Sequence, residues 1–342
     1  MCEINARFFS LSIDLGSWIH KALASKEAKP SFIDIPASND HMIEAFFKMF
    51  NPSLPIHLLQ SEHFLAARGR SNIMEAFLDW VEKRTGMRPR PVRPDDLHLV
   101  PDASSETGYA LYCTKPTSSL QEEETLERIH QMGLQMAVDE YSGLQPEIQR
   151  HLALSGSNDA RSRLIVHDKR ILGILHQELD DLVTRHHVLT EAQAALLRTR
   201  IVPTIIPGSV EAKQLLNSYH QGRISKDDFI IKPVRGARGQ GIKFGDELET
   251  SQWERILDNM QNPGLSADQT TYVIQWVVKQ AEEDLFLDEE LGVQRCQRVG
   301  SYYSVNGEFL GLGAWRVILA RDRVCNMSLG RAWKMGSVLM SH

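Results

Sequence analysis

A glycine-rich segment between two short apolar runs constrains the fold of this chain more than any other feature. Residues 229–231 (Phe-Ile-Ile) are β-prone and lead into Lys232 and Pro233, and residues 241–244 form a second β-prone run. Between them the sequence reads Val-Arg-Gly-Ala-Arg-Gly-Gln-Gly. Glycine permits the backbone conformations that a tight connection needs. The pattern therefore predicts a β-hairpin with a glycine-rich tip.

The composition of this loop favours a phosphate group as its ligand. Gly236, Gly239 and Gly241 allow backbone N–H groups to approach an anion. Arg235 and Arg238 add positive charge. The loop is not a Walker A motif, because no Gly-Lys-Ser/Thr ends it, and it is not a dinucleotide fingerprint, because a strand rather than a helix follows.

Lys232 stands where the first strand meets the loop, so its ammonium group would reach the phosphates that the loop covers. From the residues alone, two other interpretations stay open. In one, Lys232 is a solvated lysine beside a surface hairpin. In the other, the Arg/Gly-rich loop binds single-stranded RNA. The RNA interpretation ranks third, because only Phe229 and Phe244 flank the loop as aromatic residues.

A helix and then a buried strand are predicted after the hairpin. Thr250 or Ser251 is a possible helix cap, and residues 272–278 (Tyr-Val-Ile-Gln-Trp-Val-Val) are apolar and β-branched. The apolar residues at helical spacing are Trp253, Ile256, Leu257 and Met260.

The end of that strand carries groups suited to a nucleoside. Gln275 is followed by Val277 and Val278, and a strand edge of this type can offer backbone N–H and C=O groups to adenine. The Glu282 carboxylate, seven residues after Gln275, can accept hydrogen bonds from both ribose hydroxyls. Glu282 also begins a run of three acidic residues, which is consistent with a merely solvated turn.

The rest of the chain alternates between helix-like and strand-like periodicity, which is typical of an α/β fold. Thr190 and Gln193 have the spacing of a capping box that opens a helix. We predict strands at residues 32–35 and 56–59, helices at 72–82, 119–136 and along Leu172, Leu175, Leu179 and Leu182, an extended proline-rich segment at 89–94 and a turn at 155–158.

Length and charge limit the possible classes of protein. A chain of 342 residues indicates two or three domains, and a net charge of −6 argues against duplex nucleic acid as a partner. No run approaches the roughly 20 apolar residues of a membrane span. We therefore expect an unsecreted, cytoplasmic protein. Free thiols are favoured for the widely spaced cysteines, which are Cys2, Cys113, Cys296 and Cys325.

The order of these motifs resembles the ATP-grasp superfamily, and more narrowly its glutathionylspermidine-synthase-like, circularly permuted branch. Pro203-Thr204 precedes the hairpin, the tryptophan-containing helix and the strand at 272–278. The closing part of the pattern corresponds to residues 311–316 (Gly-Leu-Gly-Ala-Trp-Arg), 324–326 and 329–331. The resemblance covers the last half of the chain, from about residue 161.

This resemblance implies an α/β (α+β) fold in which two C-terminal subdomains enclose a nucleotide cleft. The implied domains are an N-terminal α/β substrate-side region at 1–160, a central portion at 161–225, a glycine-loop lid at 226–278 and a C-terminal subdomain with the metal site at 279–342.

The resemblance also implies a role for each matching residue. Lys232 would contact the phosphates of ATP together with a second lysine, for which Lys169 is the candidate and Lys213 the runner-up. Arg316 would bind the acyl phosphate or a substrate carboxylate. The other implied nucleotide-binding residues are Arg235, Gly236, Arg238, Gly239, Gly241, Gln275, Val277, Val278 and Glu282.

The implied Mg²⁺ site departs from the family pattern. Asn326 would be one ligand, and many ATP-grasp enzymes carry a glutamate two residues before that asparagine. Here the position is Val324. Mg²⁺ prefers hard oxygen ligands, so Asp322 or Glu308 could substitute, although neither has the usual spacing, and Asp322 is the candidate that we name with Asn326.

The implied activity is that of an ADP-forming carboxylate–amine ligase that uses ATP and Mg²⁺ and works through an acyl phosphate. Its partners would be small-molecule carboxylate and amine substrates, with neither nucleic acid nor membrane involved, and a homodimer is possible. The alternatives are a noncatalytic ATP-grasp-like binding protein, motivated by Val324, a small-molecule kinase and, remotely, an Arg/Gly RNA-binding protein.

Overall fold

The computed structural model describes residues 1–6, 33–34, 39–60, 72–115, 125–136, 138–155, 160–236, 239–264, 270–313, 315–325, 332–335 and 339–340. The α-helices are α1 Asn39–Phe47, α2 Asn72–Thr85, α3 Val138–Ser142, α4 Pro146–Ser155, α5 Ala160–His167, α6 Arg170–Thr184, α7 Glu191–Arg200, α8 Val210–His220 and α9 Thr250–Asn259.

The strands are short and spread along the described chain. They are β1 Ile33–Asp34, β2 His57–Gln60, β3 Arg90–Val92, β4 Leu97–Pro101, β5 Tyr109–Thr114, β6 Leu126–Arg128, β7 Met132–Gln135, β8 Thr204–Ile205, β9 Phe229–Pro233, β10 Lys243–Phe244, β11 Tyr272–Trp276, β12 Glu282–Phe286, β13 Val293–Val299, β14 Tyr302–Val305, β15 Glu308–Leu312, β16 Trp315–Leu319, β17 Trp333–Met335 and β18 Leu339–Met340.

The chain divides into two compact units, and each is built from two separate stretches of sequence. The first unit consists of Met1–Ala6 and Leu164–Ala281. The second consists of Arg7–Arg163 and Glu282–His342. The mixture of helices and sheets makes the fold α/β, as the sequence predicts.

The first unit is organised around an antiparallel sheet with the strand order β10-β9-β11-β8. The predicted hairpin is present, with Lys243 opposite Ile231 and Phe244 opposite Ile230. Gly241 lies at its tip with φ +70°, and a Cβ there would meet the Pro233 ring at 2.8 Å. Both facts require glycine at this position.

Helix α9 covers one face of this sheet with an apolar stripe. Trp253 and Leu257 are fully buried, and the Trp253 ring stacks on Phe229 at 5.7 Å between centroids. The cap prediction was wrong by one residue, because Glu249 precedes the first turn and its N–H donates to the Gln252 side chain at 3.2 Å. A glutamine three residues inside the helix supplies the acceptor that the amide needs.

The two helices before the sheet agree with the sequence pattern. In α6, Leu172 and Leu179 are buried, as the leucine stripe predicts. The capping box of α7 is also present, because Thr190 Oγ1 accepts from Gln193 N and Gln193 Oε1 accepts from Thr190 N.

The second unit contains a parallel sheet with the order β3-β2-β7 and an antiparallel sheet with the order β4-β5-β6. The helix predicted at 119–136 was wrong: β6 and β7 occupy its described part. Met132 and Leu134 are buried together with the rest of β7, which pairs in parallel with β2. Tertiary pairing therefore overrides the local pattern.

The C-terminal stretch of the second unit forms a sheet with the order β12-β13-β16-β17 and the hairpin β14-β15. Its last strand, β18, pairs with β1 from the earlier stretch of the same unit. The proline-rich segment forms β3 as an edge strand, where a missing N–H is tolerated. Each helix among the described residues is too short or too polar to cross a bilayer.

Candidate active site

Two lysines from different elements of the first unit are buried close to each other. Lys232 lies in β9 with 8% of its surface exposed, and Lys169 directly precedes α6 with 6% exposed. Burial is the main cause that lowers the pKa of Lys232; the Glu3 carboxylate opposes this, and the Lys169 ammonium lowers the pKa further. A pair of poorly solvated cations favours an anionic ligand.

Glu3 provides the one carboxylate that contacts this lysine pair in the described chain. Its Oε1 lies 3.5 Å from Lys169 Nζ. The N-terminal segment is held in place by backbone contacts: Val202 N donates to Met1 O at 3.0 Å, and the Met1 ammonium group donates to Arg200 O. We call Lys169, Lys232 and Glu3 the lysine cluster.

The glycine-rich loop begins beside the lysine cluster. Lys169 Nζ donates a hydrogen bond of 2.9 Å to Gly236 O. Gly236, Gly239 and Gly241 all have positive φ, at 124°, 73° and 70°. The guanidinium of Arg235 lies 3.6 Å from Asp168, and Arg238 lies outside the described residues. The structure thus brings Lys169, Lys232 and the loop together.

Gln275 is buried in β11 next to the same segment. Its Nε2 donates to Thr204 Oγ1 at 2.8 Å and to Cys2 O at 3.4 Å. Beyond the strand, Val277 N donates to Asp228 O at 2.9 Å, and Val278 is exposed. The hydrogen-bond donors of Gln275 and Val277 therefore already have protein partners. Lys213, the runner-up lysine, is an exposed residue of α8.

The remaining predicted residues belong to the second unit. Glu282 begins β12, and its carboxylate accepts from Arg295 Nε at 3.2 Å. Arg316 lies in β16 and donates to Cys325 O at 3.5 Å. Asp322 follows β16 in a turn in which its N–H donates to Leu319 O. Asn326 lies outside the described residues.

Sequence reasoning missed Glu3, although a signal for it existed. The Glu-x-Asn spacing that is absent at Val324–Asn326 occurs at the start of the chain, as Glu3-Ile4-Asn5. The motifs that resemble the family lie in the last half of the chain, far in sequence from this copy. Within the described ranges, no three His, Cys, Asp or Glu side chains form a metal cluster. One carboxylate with nucleotide phosphates is nevertheless a usual Mg²⁺ environment, which the oxygens of Glu3 fit.

Comparison with known proteins defines the class to which this fold and site belong. A solved structure of a glutathione synthetase-like effector from Globodera pallida superposes with a TM-score of 0.52 over 93% of this chain and 68% of that chain, at 11% identity. The fold is therefore glutathione synthetase-like.

The sequence comparisons are more specific. The ATP-grasp enzyme ankG of Aspergillus thermomutatus is 40% identical over 337 residues, which cover 95% of this chain and 68% of that protein. The chain belongs to the ATP-grasp enzymes. The family model described as the AnkG N-terminal domain matches residues 1–165, the part of the chain that sequence motifs could not assign.

Proposed function

We propose that this protein is an ATP-dependent ligase that joins a carboxylate to an amine or related nucleophile. ATP phosphorylates the carboxylate, the nucleophile displaces phosphate from the acyl phosphate, and ADP and phosphate leave. The observation that carries the proposal is the pair of buried lysines beside a glycine-rich loop, in a chain that belongs to the ATP-grasp enzymes.

The lysines would act mainly through charge. Lys169 and Lys232 would bind the phosphates and stabilise the negative charge that develops on the transferred phosphoryl group. Because both side chains are buried, their fields are weakly screened by solvent. The glycine loop would cover the phosphates and keep water from the acyl phosphate.

The other assignments are proposals of the same kind. Gln275 would face adenine, with its neighbours Val277 and Val278 offering backbone groups. Glu282 would hold the ribose, and Arg316 would bind the acyl phosphate or the substrate carboxylate. Nucleotide binding through Gln275 requires its amide to exchange its present contacts with Thr204 and Cys2.

For Mg²⁺ we propose Glu3, with Asn5, as the main protein ligands, ahead of Asp322 and Asn326. The support is the position of the Glu3 carboxylate at the lysine cluster. When bound, Mg²⁺ would neutralise charge on the nucleotide phosphates. If Glu3 fills this role, the chain has a carboxylate in place of the missing glutamate at position 324, on which the noncatalytic alternative rests.

The deciding experiment is a substrate screen with two readouts. The full chain is incubated with ATP, Mg²⁺ and a panel of carboxylic acids, with and without amines, and ADP is measured. A ligase releases ADP that depends on both substrates, and hydroxylamine traps its acyl phosphate as a hydroxamate. ADP release with the carboxylate alone, and an acyl phosphate as the final product, would instead identify a kinase.

A further inference from the structure

Two consecutive residues that directly precede α6, Asp168 and Lys169, contact three consecutive residues at the base of the glycine loop. Lys169 N donates to Val234 O at 3.0 Å, and Lys169 Nζ donates to Gly236 O at 2.9 Å. Between these two hydrogen bonds, Arg235 Nε lies 3.6 Å from Asp168 Oδ2. We call this set of contacts the loop clasp.

Asp168 is itself fixed by its other neighbour, Arg170. Arg170 Nε and Nη2 donate to the two carboxylate oxygens at 2.9 and 2.7 Å, and Arg170 N donates at 3.0 Å. Burial acts to raise the pKa of Asp168, but the hydrogen bonds from Arg170 and the charge of Arg235 outweigh it, and the pKa is lowered. Asp168 is therefore a rigid, charged group at neutral pH.

From this geometry we infer that Asp168 is a positioning residue that anchors the glycine loop through Arg235. Arg235 then serves as a loop anchor rather than as a phosphate ligand. The inference rests on the proposed nucleotide site. It means that the base of the loop is held in one position before nucleotide binds, which the sequence alone did not indicate.

The clasp also links the loop to the bound phosphates. A lysine ammonium has three N–H donors. At Lys169, one donates to Gly236 O and another faces Glu3 at 3.5 Å. Within the described residues these are the two contacts of the ammonium group, and we infer that the third N–H donates to a phosphate oxygen. In the proposed site the same side chain would connect the loop base, the N-terminal segment and the nucleotide. We therefore expect release of Arg235 from Asp168 to weaken ATP binding more than it slows the reaction of bound ATP.

The first test measures the loop directly in the full chain without nucleotide. Trypsin cleaves after Arg235 and Arg238, and mass spectrometry of the fragments gives the cleavage rate at the loop. Asp168→Asn is expected to raise this rate roughly two- to fivefold, the range that a half-exposed ion pair supports. Asp168→Glu keeps the carboxylate, so its cleavage rate is expected to stay close to that of the wild type. The control is Asp180→Asn in α6, which removes an exposed ion pair with Arg198 of α7 and is expected to leave the rate unchanged.

The second test is a double-mutant cycle on ATP kinetics. Asp168→Asn and Arg235→Gln are each expected to raise KM for ATP by roughly two- to fivefold with little change in kcat, and the double variant is no worse than either. If Arg235→Gln raises KM far more than Asp168→Asn and the effects multiply, Arg235 binds phosphate and the inference is overturned. Unchanged loop cleavage in Asp168→Asn overturns it as well.

Two further outcomes remain interpretable. If Asp168→Asn does not fold, Arg235→Gln still decides, because its side chain is 55% exposed and cleavage after Arg238 remains measurable. Faster cleavage after Arg238 in Arg235→Gln supports the loop clasp, and an unchanged cleavage rate overturns the inference. If the wild-type chain neither binds nor hydrolyses ATP, the proposed function fails while the nucleotide-free cleavage experiment still decides the role of Asp168.

Discussion

At the scale of single residues, the site is defined by charges that the fold removes from water. Lys232 and Lys169 are almost fully buried, and one carboxylate, Glu3, faces them. An uncompensated buried charge is costly. Such an arrangement is typical of a site that receives its counter-charge from a ligand.

The first prediction concerns Lys232. Replacing it with alanine is expected to lower ADP release by at least roughly a hundredfold, because one preorganised cation is lost from the transferring phosphoryl group. The fold is retained, because a desolvated charge is removed rather than created. Circular dichroism checks the fold, and Lys213→Ala on the exposed face of α8 is the matched control. Full activity in Lys232→Ala would contradict the proposed contact between Lys232 and the ATP phosphates.

The second prediction separates the two candidate metal sites. Glu3→Gln is expected to raise the Mg²⁺ concentration for half-maximal binding of a non-hydrolysable ATP analogue by at least about tenfold. Asp322→Asn is expected to leave it unchanged. Calorimetric titration of the analogue at several Mg²⁺ concentrations measures both. A change in Asp322→Asn without a change in Glu3→Gln would instead support a Mg²⁺ site near residue 322.

At the scale of elements, the sequence predicted those helices and strands whose signals are residues only a few positions apart. The β9–β10 hairpin follows from its glycines, and the capping box of α7 follows from Thr190 and Gln193. The helix predicted at 119–136 failed, because β7 is stabilised by β2, more than 70 residues away in sequence. No local window contains that partner.

The third prediction concerns the packing of α6 on β8. A Cβ at Gly173 would lie 2.5 Å from Ile206 Cγ2 and 2.6 Å from Thr204 O. Gly173→Ala is therefore expected to destabilise the protein by about 1–3 kcal/mol, as overpacked sites do. Urea unfolding measures the change, with exposed Glu178→Ala in the same helix as the control. An unchanged midpoint would show that the helix shifts without cost.

At the scale of the whole molecule, each compact unit combines two stretches that are far apart in the sequence. Met1–Ala6 belongs to the same compact unit as Leu164–Ala281. The segment contributes Glu3 to the lysine cluster and Cys2 O to Gln275. A stretch of six residues at one end of the chain is thus part of the candidate site.

The fourth prediction tests this grouping. Deleting Met1–Ala6 is expected to abolish ADP release and to lower the melting temperature, because Val202 N and Gln275 Nε2 lose acceptors worth about 1 kcal/mol each. Thermal unfolding and the ADP assay measure the two effects. A truncated chain with normal activity would contradict the assignment of Glu3.

By itself, the sequence determined the α/β class and the glycine hairpin, because these depend on short-range spacing and on residue chemistry. It also selected Lys232 and, through family resemblance, Lys169 as candidate phosphate ligands, and that role stays a prediction. Tertiary structure alone decided that Glu3 meets the lysines, that Asp168 holds Arg235, and that β7 is a strand. Each of these depends on contacts between residues tens to hundreds of positions apart, and such contacts are selected by burial and pairing over the whole fold rather than by any local pattern.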